Sequence, residues 1–254
     1  MPVSRPSLAA LRAEIAALER GGRTLPEAVL TFGDPRLDGR LPGGGLASSA
    51  WHEFAGEGQE AETGAAGAAF LARLAAPLAA RGELVWVLRL PDLHAPGLAG
   101  LGFPAERLIQ VCARDDDEAL AVLEDALRTP GVAAAFGEAE AVDLIAGRRL
   151  QLACEQRGAV GFVLRRRPYG GRGGAESGTA AATRWRIAPA PSEPPAGEPG
   201  LGPPRWRVTL ERSRGGRTGT WILEAMEGDD AAHPFRLVAE LADRDVAAPL
   251  RLAG

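Results

Sequence analysis

The apolar positions of the chain fall into short blocks whose spacing switches between helix and strand periods. Residues 7–20, SLAALRAEIAALER, put Leu8, Leu11, Ile15 and Leu18 on one helical stripe. Ser7 stands as its N-cap, and Gly21 and Gly22 as its stop. A short strand is predicted over 50–54, then a polar loop over 55–63, then a helix of small and apolar residues over 64–80. Strands follow at 83–90, 107–113, 131–136 and 159–165, separated by helical segments at 115–128 and 141–157. Strands alternating with helices imply an α/β protein with a mostly parallel sheet flanked by helices.

After Arg166 the texture changes. Residues 168–183 and 188–204 are rich in Gly, Pro, Ala and Ser and read as flexible, and as the first places for a protease to cut. Two similar tripeptides, Arg184-Trp185-Arg186 and Arg205-Trp206-Arg207, open short alternating runs. On a strand this spacing turns the tryptophans to one side and the arginines to the other, the former more often core anchors than stacking platforms. Residues 205–227 read as a hairpin turning at 214–217, and 235–241 as a last antiparallel strand. The expected divisions are an N-terminal helix and linker (1–30), a core (31–167), flexible segments around a short strand (168–204) and a C-terminal antiparallel β extension (205–254).

The central stretch has the order of a phosphate-binding loop: strand, glycine-containing loop, helix. The pattern G-x-x-x-x-G-K-[ST] cradles phosphate with backbone N–H groups, a Lys and a hydroxyl that holds magnesium. Here the matching positions are Gly56, Ala61, Glu62 and Thr63, so Glu replaces the Lys. A Lys about 4 Å from a phosphate charge gains roughly 4 kcal/mol at an effective dielectric near 20, and a Glu loses about as much. Even about 3 kcal/mol of that difference exceeds a hundredfold in affinity. Glu57 and Glu60 add carboxylates to the loop, and all these acids suit the positive N-terminus of the following helix. No cofactor is expected.

Composition narrows the classes further. Of 254 residues 46% are hydrophobic and 24% charged, globular values. All 29 basic residues are Arg, which lowers the information in any single one. The net charge of −4 conceals a split: residues 1–147 carry 12 Arg against 21 acids, and residues 148–254 carry 17 Arg against 12 acids. The basic part predicts a polyanion or an acidic protein surface as partner. Cys112 and Cys154 lack metal or redox spacing, and no N-terminal apolar run follows a basic start, so a reduced, cytoplasmic protein without a membrane span is expected. His52-Glu53 lacks the second His of a zinc helix, and no G-x-S-x-G occurs. No catalytic or metal residue is assigned.

Two groups of motifs carry resemblances. Leu37-Asp38, Pro42-Gly43-Gly44-Gly45-Leu46 and Trp51-His52-Glu53-Phe54, with the loop and helix after them, resemble the core of the RecA-like recombinase fold over residues 30–165. The run 137–167, the later RWR and ERSRGGRTGTW segments and Ala242-Asp243-Arg244 resemble the ImuA family over nearly the whole chain. Its members are bacterial accessory proteins of damage-induced mutagenesis, also described as SulA-like. That resemblance implies a role in SOS-induced translesion synthesis. The implied partners are an ImuB-type Y-family-like polymerase subunit, an error-prone polymerase of the replicative type, and the RecA recombinase.

An ATPase of this fold also needs acids after the neighbouring strands. The nearest acids to the relevant strands are Glu138 and Asp92, and neither falls at a convincing position for magnesium or a catalytic base. The expected protein is therefore a non-catalytic adaptor, with a SulA-like division inhibitor or a RecA-like DNA-dependent ATPase as alternatives. The candidate partner- or DNA-binding residues are Leu11, Ile15 and Leu18 on the N-terminal stripe. The others are Arg148, Arg149, Arg165, Arg166, Arg167, Arg184, Arg186, Arg205, Arg207, Arg212, Arg214 and Arg217, which could track a phosphate backbone or an acidic protein.

Overall fold

The computed structural model describes residues 29–57, 60–166, 179–197, 199–226 and 233–241, with backbone alone at 60–63. The predicted helix at 7–20, with Leu11, Ile15 and Leu18, lies outside the described residues, as does Arg167.

The strands are β1 (Val29–Leu30), β2 (Leu46–Ala47), β3 (Trp51–Gly56), β4 (Glu83–Leu88), β5 (Leu108–Cys112), β6 (Val132–Ala139), β7 (Val160–Arg165), β8 (Thr183–Ala190), β9 (Arg205–Ser213), β10 (Gly219–Ala225) and β11 (Phe235–Leu241). The helices are α1 (Pro35–Asp38), α2 (Glu60–Ala75), α3 (Asp116–Arg128) and α4 (Leu144–Arg157). Nine strands form one sheet in the order β11-β10-β9-β8-β3-β7-β6-β4-β5, and β1 and β2 pair separately. From β8 to β5 every neighbour is parallel, while β9, β10 and β11 run antiparallel. The expected architecture, a mostly parallel sheet with an antiparallel extension, is present. β8 is the joint: it pairs parallel with β3 on one side and antiparallel with β9 on the other.

Several boundaries move for local reasons. Helix α2 starts at Glu60, earlier than residue 64, and ends at Ala75, where Pro77 forces a tighter 3-10 stretch over Ala76–Arg81. β6 continues to Ala139, three residues past the predicted end, because Gly137 is itself a buried strand residue lying against Leu123 of α3. Asp143 caps α4 by accepting from the Ala146 N–H, so the helix begins at Leu144. Asp38 accounts for part of the Leu-Asp motif: its carboxylate accepts from Phe32 N–H at 2.8 Å and Gly33 N–H at 3.0 Å, pinning the turn into α1.

Each face of the sheet has its own core. On one, Phe70, Leu71 and Leu74 of α2 meet Phe54, Phe136, Phe162 and the inner residues Trp185, Trp206, Trp221 and Phe235 of the extension. The tryptophans are core residues, as their spacing predicted, and Trp206 Nε1 donates to Ala66 O of α2 at 3.0 Å. On the other face α3 and α4 cover Trp51, Val85, Val87, Ala135 and Val163. Among the described residues no helix is long and apolar enough to cross a membrane.

Candidate functional site: the crevice at the carboxyl ends of the parallel strands

Open parallel sheets bind ligands in the crevice outside the carboxyl ends of their strands, where chain direction around the sheet reverses. In this protein that place is the mouth formed after β3, β7, β6 and β4. Gly56 closes β3, and Ala61, Glu62 and Thr63 lie in the first turn of α2, where backbone N–H groups would face an anion. The loop is already tied down on one side: Glu57 pairs with Arg207 of β9 at 2.8 Å.

Carboxylates and guanidinium groups of the chain itself fill the rest of the mouth. Glu53, central in β3 and 2% exposed, accepts from Arg165 at 3.2 Å and from Arg184 at 3.3 Å. Glu138 of β6, fully buried, accepts from Arg166 Nη1 at 2.9 Å and from the Arg89 N–H at 3.2 Å. Arg166 also holds both oxygens of Asp92, at 3.0 and 2.6 Å. Burial pushes the Glu138 carboxyl above its ordinary value, with Arg166 opposing. The Arg166 side chain holds the Asp92 carboxyl below the ordinary value. Arg89 pairs with Asp116, whose second oxygen accepts from the N–H groups of Glu140 and Ala141 at 2.8 and 3.2 Å.

This geometry decides the fate of the two acids nearest to ATPase positions. Asp92 and Glu138 are brought together around one guanidinium, that of Arg166. Glu138 lies inside β6 and not after it. Among the described residues no group of three His, Cys, Asp or Glu side chains is placed to hold a metal ion.

The other candidate arginines are distributed widely. Arg186 pairs with Glu211 at 2.6 Å, and Arg205 with Glu224 at 2.6 Å and Glu193 at 3.1 Å. Arg149 meets the buried Glu124 at 2.5 Å. Arg212 donates to Thr179 O, and Arg214 to Ala180 O at 2.7 Å. Arg148 on α4 and Arg217 at the β9–β10 turn are exposed. Arg149, Arg165, Arg166, Arg184 and Arg207 all find acids among residues 1–147, so part of the charge split in the sequence is internal complementarity. Sequence reasoning passed over Glu53 as a hub; its signal was a lone acid inside the apolar strand WHEFAG.

Fold and site together define an α/β protein with a strand–loop–helix unit at the middle of its sheet and ion pairs of its own near the carboxyl ends of the parallel strands. No family model matches the chain. It is, however, 63% identical over 237 residues to Protein ImuA of Caulobacter vibrioides, in each of the strains NA1000 / CB15N and ATCC 19089 / CIP 103742 / CB 15, covering 91% of this chain and 97% of the relative. The chain belongs to the ImuA family.

Proposed function

We propose that this protein is a non-catalytic adaptor in DNA damage-induced, error-prone translesion synthesis, built on a degenerate RecA-like domain. Its partners are then an ImuB-type polymerase subunit, the replicative-type error-prone polymerase, or the recombinase. The observation that carries the non-catalytic part is Arg166, which bridges Asp92 and Glu138 at 2.6–3.0 Å. A carboxylate engaged by a guanidinium at that distance is neither an open magnesium ligand nor a free base. The Glu62 position supports the same reading, and the central strand–loop–helix between parallel neighbours supports a RecA-like ancestry. Arg217, exposed among the described residues, remains for an acidic partner or a phosphate backbone.

Two measurements test this. Calorimetric titration with magnesium-ATP to the millimolar range is expected to give no saturable heat, and Glu62→Lys alone should not restore it, because Arg166 still occupies both acids. Tagged protein purified from DNA-damaged cells should bring down error-prone polymerase subunits or recombinase. Tight nucleotide binding by the unmodified chain, or division proteins in the eluate, would sink the adaptor.

A further inference from the structure

Helix α4 presents an apolar face that nothing among the described residues covers. Leu144 is 64% exposed, Ile145 74% and Leu152 43%. Three large apolar side chains on two helical turns at that exposure make a patch, where single exposed residues would need no account. The exposed Arg148 stands between them, one turn after Leu144 and one turn before Leu152. Its neighbour Arg149 is committed to Glu124, whereas no carboxylate of the described residues pairs with Arg148. The face therefore asks for an apolar stripe flanked by acids.

Such a stripe exists in the same chain. Residues 7–20 align Leu8, Leu11, Ile15 and Leu18 at helical spacing, with Glu14 on one flank and Glu19, next to Arg12, on the other. The tether reaches. The described chain begins at Val29, which lies 3.5 Å from the Cβ position of Gly43; the adjoining Pro42 stands 3.7 Å from that of Gly215 in the β9–β10 turn. Arg214 of that turn donates to Ala180 O at 2.7 Å, and Ala180 Cβ lies 3.0 Å from the Cβ position of Gly147 in α4. Residues 21–28 span up to about 28 Å when extended. A short tether of this kind supplies an effective concentration in the millimolar range, which favours the chain's own segment over a second copy in dilute solution.

We propose that residues 7–20 dock as an amphipathic helix on the Leu144–Ile145–Leu152 face of α4 in the same molecule, with Glu14 or Glu19 beside Arg148. The inference stands apart from the adaptor reading, since it concerns an intramolecular contact.

The test uses the full chain with Cys112→Ser and Ile145→Cys; Cys154 is buried and its thiol pushed up to about 12, so it stays silent. Maleimide labelling of position 145 should be at least tenfold slower than in the same chain carrying Leu11→Asp and Ile15→Asp, and the protection should not change on dilution. Arg148→Glu should lower the protection at least threefold by setting a third acid against Glu14 and Glu19. Equal labelling rates with and without the two aspartates would overturn the docking. Protection lost on dilution would overturn it in favour of a second copy. A thermal melt run on each variant keeps loss of fold separate from loss of docking.

Discussion

His52 has no solvent exposure, and its ring is satisfied within the sheet. Nε2 lies 3.0 Å from Ala47 O and so donates, leaving Nδ1 to accept from the Thr183 hydroxyl at 2.8 Å; that hydroxyl oxygen accepts in turn from Trp185 Nε1 at 2.7 Å. Burial lowers the imidazole from 6.5 to about 4. Between those values the unfolded chain takes up a proton that the folded chain refuses, so stability is complete above 6.5 and falls as pH drops toward 4. The contribution is about 3 kcal/mol at 1.36 kcal/mol per unit. Urea midpoints of the native chain should therefore fall more between pH 7 and pH 4.5 than those of His52→Gln, and parallel curves would show that another group governs the acid limb. Glu53, one residue on, illustrates what single residues conceal in a sequence. Read alone it was the tail of His-Glu; in the sheet, parallel register sets it beside Arg165 and Arg184, 112 and 131 positions away. Such partners carry no local signal, because they are made by topology.

At the scale of elements the pattern was readable wherever period and punctuation agreed. Asp115 ahead of an apolar-periodic run marks the start of α3, and its carboxylate does accept from the Glu118 N–H. The ends of β6 and α2 were misplaced because glycine and alanine carry too little hydropathy to extend a strand or fix a first turn. Close approach between elements is the compensating use of those small residues. At the start of β4, a Cβ on Gly82 would stand 2.3 Å from Gly131 O and 3.2 Å from Ala133 N, the backbone that leads into β6. The neighbour there is main chain and cannot swing aside. Gly82→Ala should cost about 1–3 kcal/mol by overpacking. Gly100→Ala, in a 3-10 turn where a Cβ meets nothing within 4 Å, should be neutral or stabilising by up to about 1 kcal/mol. Paired thermal melts check this, and equal melting temperatures for the two variants would remove the steric account of the β4–β6 junction.

On the scale of the whole molecule, the change of composition at residue 168 looks like an edge, yet the sheet runs across it. The sequence shows a texture shift because the connection from β7 to β8 carries few apolar residues; it does not show that β8 returns to the far side of β3, since a parallel crossover leaves no trace in the strand itself. Trp185, Trp206, Trp221 and Phe235 from the later part fill the same core as Phe54 and Phe70 from the earlier part. Arg184 with Glu53, Arg207 with Glu57, and Glu240 with Arg40 close the seam electrostatically. Burying one such ring is worth on the order of 4–6 kcal/mol at about 25 cal/mol per Å². Four rings buried in one core favour continued association of the two parts after the backbone is cut. A full-length chain carrying a protease recognition site between Gly173 and Gly174 should, once cleaved, elute from gel filtration as a single species at native conditions and separate only in denaturant. Its tryptophan emission should stay at the buried position. Two native peaks after cleavage would mean that β8 to β11 dock on a core complete without them, and the ion pairs across the seam would then be contacts between neighbours and not the closure of one sheet.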